Sequence, residues 1–133
     1  VARLGSEAES RERQGQLFAL FPDLERFRHA RAGTLSGGQK QMLSIARAFM
    51  NQNRLLLIDE PSKGLAPIIV EHLVEALRAM KRHATVLLVE QNFAMAQALA
   101  EDFYLIDGGR TVQRGPMASL VADAALKKKY LGI

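Results

Sequence analysis

Two groups of polar residues have types and spacings that could do chemistry on an anionic ligand. The first is Ser36-Gly37-Gly38-Gln39, which directly precedes a helical pattern. Glycines let backbone N–H groups approach a ligand closely, a serine adds a hydroxyl, and the dipole of a helix favours negative charge at its first turn. This segment therefore predicts an anion site, although Ser-Gly-Gly by itself also occurs in ordinary loops.

The second group follows two apolar runs. Asp59 and Glu60 come directly after the run 55–58, and Glu90-Gln91-Asn92 follows the run 85–89. Ligands of open parallel sheets sit beyond the carboxyl ends of the strands. Two acids at that edge suit a Mg²⁺-nucleotide site, one as a ligand and the other to orient or deprotonate an attacking water. The alternative is that Asp59 and Glu60 merely end a strand.

The elements that must position these residues alternate between strand and helix patterns. An amphipathic helix is predicted after Gly38, strands buried on both faces over the two apolar runs, and a helix from Pro67 to about His83 between them. Strand, helix and strand in this order predict a βαβ unit with parallel strands. The sequence thus predicts an α/β fold in which helices flank a parallel sheet core.

Smaller elements are predicted on both sides of this core. Asn92 is expected to cap a further helix, and Gly108-Gly109 to form the two-residue turn of a β-hairpin. Two short closing helices are expected over 118–125 and 127–131. Near the start, Pro22 is expected to separate short helices over 16–27, whereas no helix cap or strand is predicted before Gln14.

Composition excludes several classes of protein. The chain has 133 residues and no cysteine, which rules out a disulfide framework or a thiolate metal site. No apolar run approaches the roughly 20 residues that a bilayer-spanning helix needs. The net charge is +4, but the basic residues are scattered among 14 acidic ones. We therefore predict no nucleic-acid partner.

The order of these motifs resembles one family. Leu35-Ser36-Gly37-Gly38-Gln39, followed by a helix and then by the segment 55–62 that contains Asp59-Glu60-Pro61-Ser62, resembles the signature sequence and the Walker B motif of ABC ATPases, a branch of the P-loop NTPases. In this family two nucleotide domains face each other head to tail, and ATP lies between the P-loop of one and the signature of the other.

The resemblance implies a role for each matching residue. Ser36, Gly37, Gly38 and Gln39 would contact ATP held by the partner domain. Asp59 would hold Mg²⁺ and Glu60 would be the general base. ATP and Mg²⁺ are thus the implied ligands.

The resemblance also marks two departures from the family pattern. Ser62-Lys63-Gly64-Leu65 falls on the D-loop, which crosses the dimer interface, but the usual closing aspartate is absent and Lys63 could equally be plain surface. Gln91 stands where the family usually has a histidine that touches the γ-phosphate, and a glutamine cannot titrate. The three histidines of the chain lie elsewhere and are expected to have structural roles: His29, His72 and His83.

Three segments resemble those of one subfamily, the LivF-like ATPase subunits of branched-chain amino-acid importers. They are the segment 62–67 with its Gly-Leu-Ala-Pro, Val89-Glu90-Gln91-Asn92, and the ending Tyr130-Leu131-Gly132. The resemblance implies a second ABC ATPase subunit, identical or different, transmembrane permease subunits, and indirectly a periplasmic solute-binding protein. It also implies a cytoplasmic location on the inner face of the cell membrane. A urea-type importer ATPase, an ABC ATPase acting on chromosomes or ribosomes, and a non-hydrolysing piece that lends its signature motif to a partner are the alternatives.

The domain organisation is also inferred from the resemblance. We expect residues 1–33 to be the end of a helical subdomain with a truncated N-terminus. Residues 34–133 would be the C-terminal part of the ATPase core, with signature, Walker B, D-loop and switch region. No GxxxxGK[ST] sequence occurs in the 133 residues. The chain is therefore predicted to be inactive alone. The family's N-terminal strands are also missing, which would leave apolar faces and edges uncovered, so the chain is predicted to be marginally stable or prone to aggregate.

Overall fold

The computed structural model describes residues 6–51 and 53–133, and its first elements are two helices. Helix α1 spans Glu7–Leu20 and helix α2 spans Pro22–Arg26. The break at Pro22 is as predicted, but the expectation that no helix begins before Gln14 was wrong. Ser6 and Glu9 form a capping box, in which each side chain accepts a hydrogen bond from the backbone N–H of the other residue. Residues 1–5 of the predicted segment 1–33 lie outside the described residues.

The next helix, α3, spans Gly37–Met50, after a short 3-10 turn at Ala32–Thr34. Its apolar side chains recur at helical spacing, and Met42, Ile45 and Ala46 are buried. The helix packs against α1, α2 and α4. The predicted amphipathic helix is therefore confirmed.

A βαβ unit follows, made of β1 (Leu55–Asp59), α4 (Pro67–Met80) and β2 (Thr85–Val89). The strands are parallel, as predicted, with Leu55 opposite Thr85 and Asp59 opposite Val89. Pro67 occupies the first turn of α4, where its missing N–H costs no hydrogen bond. The buried stripe of α4 is formed by Leu73, Ala76, Leu77 and Met80.

The prediction that both strands are buried on both faces was wrong for the described residues. Leu56 is buried and points into the core, whereas Leu57 is 71% exposed and Leu87 53% exposed. Successive side chains of a strand point to opposite faces, and helices cover only one face of this two-stranded sheet. The other face is an open apolar surface. The predicted tendency to aggregate stays a prediction.

The last part of the chain forms a second, smaller core. Helix α5 (Phe93–Leu99) is capped by Asn92, as predicted, and leads into the hairpin of β3 (Asp102–Asp107) and β4 (Arg110–Pro116). Gly108 and Gly109 form the predicted turn with φ of +55° and +75°. Two closing helices follow, α6 (Met117–Ala122) and α7 (Ala124–Tyr130), so the predicted boundaries were shifted by a few residues.

The two parts have separate clusters of buried side chains. The larger cluster joins α1, α2, α3, β1, α4 and α5, and the smaller one joins the hairpin to α6. No helix among the described residues has both the length and the apolar composition needed to cross a bilayer. The loops that carry the candidate residues lie at the first turn of α3 and at the carboxyl ends of β1 and β2.

Candidate functional site

The start of α3 is held by its own side chains. Ser36 is the N-cap: its hydroxyl accepts a hydrogen bond from the N–H of Gln39 at 3.3 Å, and the Gln39 side-chain oxygen accepts one from the N–H of Ser36 at 2.9 Å. This reciprocal pair satisfies two backbone donors that a helix start leaves free. Ser36 remains exposed. The remaining N–H groups of the first turn can therefore face an anion.

The two glycines of this turn have different surroundings. A methyl group placed on Gly37 would meet no heavy atom within 4 Å, so the space beside it is open. A methyl group on Gly38 would lie 3.5 Å from both Leu65 and Ile69. The signature segment thus lies against the predicted D-loop on one side and has open space for a ligand on the other.

The end of β1 carries the two candidate acids. Asp59 is exposed, and the next residue, Glu60, has a φ of +42°. A left-handed conformation at a residue other than glycine costs about 1–3 kcal/mol and tends to occur at functional sites. The Glu60 N–H donates to the Val89 carbonyl at 2.8 Å, which extends the pairing of the two strands by one residue. This turn of the backbone directs the Glu60 side chain towards the loop after β2.

The Glu60 carboxylate is held by two donors from different loops. Gln91 Nε2 donates to Oε1 at 2.7 Å, and Lys63 Nζ donates to Oε2 at 2.6 Å. The hydrogen bond to Glu60, together with the charges of Glu60 and Asp59, raises the pKa of Lys63 above its ordinary value. The structure thus places Gln91 against Glu60, which lies 31 positions earlier and next to Asp59, and it gives Lys63 a specific partner.

The predicted D-loop forms a tight turn after β1. Gly64 has a φ of +72°, which favours glycine, and the Leu65 N–H donates to the Ser62 carbonyl at 3.1 Å. The Ser62 N–H donates to Glu90 Oε2 at 3.2 Å. Sequence reasoning placed Glu90 at this edge but did not select it as a site residue. Its position one residue after β2 was the signal that could have identified it.

The carboxylates at this edge suit a Mg²⁺ ion bound together with a nucleotide better than a metal ion bound by protein side chains alone. Among the described residues, no group of three or more His, Cys, Asp or Glu side chains is gathered to hold a metal ion. Mg²⁺ is usually bound through one or two carboxylates, together with substrate phosphates and water. The exposed carboxylate of Asp59 fits this role.

Two of the histidines have contacts that fit the structural roles expected for them. His29 accepts a hydrogen bond from Arg28, and His83 packs edge-on against the ring of Phe49.

The signature segment and the two acids are not joined directly. Within the part of the chain that the structure describes, no hydrogen bond or ion pair links Ser36 or Gln39 to Asp59 or Glu60. A cleft of about 650 Å³ between α1, α2 and α3 is largely apolar and is lined by none of these residues. The candidate residues instead form two exposed surfaces, which suits a site completed by another surface.

Comparison with known proteins identifies the family. Residues 6–63, which include both the signature segment and the two acids, match the family described as ABC transporter. The high-affinity branched-chain amino acid transport ATP-binding protein BraG of Pseudomonas aeruginosa is 44% identical over 118 residues, which cover 88% of this chain and 51% of BraG. The chain belongs to the ABC transporter ATP-binding family.

A second relative of the ABC chain is a probable branched-chain amino acid transport ATP-binding protein, LivF of Archaeoglobus fulgidus. It is 33% identical over 127 residues, which cover 94% of the ABC chain and 54% of the relative. The ABC chain therefore spans about half the length of these curated relatives.

Solved structures confirm the fold predicted for the ABC chain. The ATP-binding subunit of an ABC transporter matches with a TM-score of 0.76 and 30% identity, covering 96% of the ABC chain and 53% of that structure. A dimeric bacterial ABC transporter cassette matches with a TM-score of 0.71 and 25% identity, covering 88% and 51%. The ABC chain thus has about half of an ABC ATPase fold, and at least one cassette similar to it forms dimers.

Proposed function

We propose that the ABC chain is part of an ATP-hydrolysing subunit that drives import of branched-chain amino acids through a membrane permease. The observation that carries the hydrolytic part is the contact of Gln91 with Glu60 directly beside Asp59. Three groups suited to an ion, a water and a phosphate meet there at the carboxyl edge of two parallel strands. Two apolar strands could pair without polar side chains gathered at their carboxyl ends.

Each residue at this edge has a proposed role. Asp59 would hold Mg²⁺, which neutralises charge on the phosphates when it is bound. Glu60 would accept the proton of the attacking water, whose oxygen bonds to the γ-phosphorus as the bond to ADP breaks. Gln91 would orient Glu60 and the water through its amide. The left-handed backbone at Glu60 supports this assignment, because strain is retained where a side chain must be aimed.

The signature surface would act on a second nucleotide. Ser36 and Gly37 are exposed at the start of α3, and Gly38 and Gln39 are half-buried. We propose that these four residues contact ATP bound by a partner cassette. The likeness to a dimeric cassette supports this pairing. The D-loop 62–65 would lie at the same interface, since Leu65 already lies against Gly38. Residues 1–33 and 34–133 would be the helical subdomain end and the core, as the family resemblance implies.

The residues that bind the phosphates of ATP would lie outside these 133. The ABC chain contains no GxxxxGK[ST] sequence, and the relatives it matches are about twice as long. We propose that a P-loop in the rest of such a cassette binds the phosphates of ATP at Asp59 and Glu60. The working subunit would lie in the cytoplasm against the permease, and a periplasmic solute-binding protein would be an indirect partner through that permease.

The solute is proposed from the relatives. BraG and LivF carry the name of branched-chain amino acid transport, and they support leucine, isoleucine or valine as the cargo. Deleting the gene should abolish uptake of labelled leucine and leave urea uptake intact. Loss of urea uptake instead would favour the urea-type importer.

The hydrolytic proposal is tested in a cassette that joins this chain to a P-loop half. We expect Mg²⁺-dependent ATPase activity there and none from the 133 residues alone. Glu60→Gln should lower kcat by about 10²–10⁴-fold while ATP still binds, because only the proton acceptor is lost. The matched change Glu71→Gln, on the exposed side of α4, should leave kcat intact. Equal turnover of the Glu60→Gln variant and the parent would remove Glu60 from the base role.

A second candidate function is a non-hydrolysing subunit that lends its signature surface to a complete partner. The exposure of Ser36 and the absence of a P-loop sequence within the 133 residues favour it. Adding the ABC chain to a cassette whose own signature serine is changed to arginine should then restore hydrolysis. No restoration would leave the ATP-hydrolysing subunit as the better proposal.

A further inference from the structure

Glu90 has the carboxylate that accepts the most hydrogen bonds at the candidate site, and it has no part in the roles proposed above. It lies one residue beyond β2 and is half-buried. Its Oε1 accepts hydrogen bonds from the backbone N–H groups of Gln91 and Asn92, both at 2.9 Å. Its Oε2 accepts one from the N–H of Ser62 at 3.2 Å. One side chain therefore binds backbone donors of two different loops.

These two loops are the ones that carry the proposed chemistry. Ser62 begins the D-loop after β1, and Gln91 contacts Glu60 through its side chain. The Glu60 N–H in turn donates to the carbonyl of Val89, the residue just before Glu90. The contacts close a ring in which the loop after β1 and the loop after β2 are fixed to each other at three points.

The chemistry of the three donors requires a carboxylate. Backbone N–H groups can only donate, and a carboxylate presents two oxygens that only accept. Hydrogen bonds to a charged acceptor are also stronger than neutral ones. A glutamine at this position would keep one acceptor, while its NH₂ group would face a donor and leave one N–H without a partner. The arrangement is therefore specific to the acid.

We propose that Glu90 is a positioning residue that couples the D-loop to Gln91. By binding Ser62 on one oxygen and the start of the next loop on the other, it sets the distance between the dimer-facing turn and the amide that holds Glu60. The effect on hydrolysis rests on the proposed function, whereas the coupling of the two loops does not. Leu65, which lies beside Gly38, extends the coupled surface to the signature segment.

The first experiment measures the coupling directly, by hydrogen–deuterium exchange in the complete cassette. Glu90→Gln should speed exchange in peptides that cover residues 60–66 by about tenfold, because Ser62 loses its acceptor. Peptides that cover 91–95 should change less, since one oxygen remains for Gln91 and Asn92. Glu71→Gln is the matched control and should alter neither segment. Unchanged exchange over 60–66 in the Glu90→Gln variant would overturn the proposal.

The second experiment measures the consequence for turnover. Glu90→Gln should lower kcat for ATP hydrolysis by about 10- to 100-fold, as expected when a distant change misplaces a catalytic group. The KM for ATP should stay within about twofold of the parent, because no phosphate-binding residue is removed. Normal kcat despite faster exchange over 60–66 would refute the link to hydrolysis. If the parent cassette itself fails to hydrolyse ATP while the exchange result holds, the proposed function fails and the coupling stands.

A second variant covers the case in which Glu90→Gln does not fold. Glu90→Asp keeps the charge and both oxygens on an arm shorter by one methylene, so it cannot span both loops. A folded Glu90→Asp cassette, checked by its melting temperature, should show faster exchange over 60–66 and lower kcat. Parent-like values for both would overturn the proposal.

Discussion

The glycines of the signature segment allow a test that separates folding from ligand binding. Gly37 and Gly38 lie in the first turn of α3, and neither has a positive φ. A methyl group on Gly37 would meet nothing within 4 Å, and one on Gly38 would make ordinary van der Waals contacts at 3.5 Å. The fold of the ABC chain therefore does not require glycine at either position, so a requirement for glycine must come from a ligand or a partner.

The change Gly37→Ala should thus affect stability and activity in opposite directions. Alanine is favoured over glycine in the middle of a helix by about 0.5–1 kcal/mol, so at the first helical position we expect the free energy of unfolding to rise by at most this amount. The added methyl group would occupy the space through which a phosphate approaches the N–H groups of the turn. We therefore expect kcat/KM for ATP to fall by about tenfold or more, corresponding to about 1.4 kcal/mol of lost stabilisation.

The assays are urea unfolding followed by circular dichroism and steady-state ATP hydrolysis, both on the complete cassette. Gly15→Ala is the matched control, since Gly15 lies inside α1 and its added methyl group also meets no atom within 4 Å. It should raise stability similarly and leave hydrolysis unchanged. A Gly37→Ala cassette that is destabilised by more than about 1 kcal/mol would refute the steric reasoning. A stabilised one with full activity would remove Gly37 from the ATP site.

Two further predictions concern packing and charge. Leu73→Ala should lower the free energy of unfolding by about 2–5 kcal/mol in urea titrations, because Leu73 is fully buried on α4. The control is Ile68→Ala on the same helix. Ile68 is 54% exposed, so this change should lower the free energy of unfolding far less. Similar losses for both would contradict the observed core. The hydrogen bond and charge of Glu60 raise the pKa of Lys63 above its ordinary value. Its amine should therefore stay protonated to higher pH and react slowly with an acylating reagent in alkaline buffer. Mass spectrometry should detect faster labelling in Glu60→Gln, and an unchanged rate would show that the ion pair does not persist in solution.

The helices and strands show which local signals can be read without a structure. The apolar runs at 55–58 and 85–89, and Pro67 between them, were sufficient to predict β1, β2, α4 and their parallel order. The first half of α1 was missed because only Leu17 of that helix is buried, so its early turns have no apolar period. The capping box of Ser6 and Glu9 was the remaining signal.

The site could be predicted only in part. The LSGGQ segment, Asp59, Glu60 and Gln91 were selected by residue type and order. The ion pair of Lys63 with Glu60 is local, and the residue types left it open because Lys63 could equally be plain surface. The contact of Glu90 with Ser62 was not predicted, because it depends on the register in which Asp59 lies opposite Val89. That register places the loops after the two strands side by side, and a shift of one residue would move every side chain of a strand to the other face.

The sequence alone determined the family, the order of the elements and the types of the candidate residues, because these are carried by local patterns and by motif spacing. Only the tertiary structure decided that Glu60 turns left-handed, that Gln91 and Lys63 share its carboxylate, and that Glu90 joins the two loops. It also decided that one face of the β1–β2 sheet is open. The contacts of Gln91 with Glu60 and of Glu90 with Ser62 join residues about 30 positions apart, which the pairing of β1 with β2 brings together and no local pattern records.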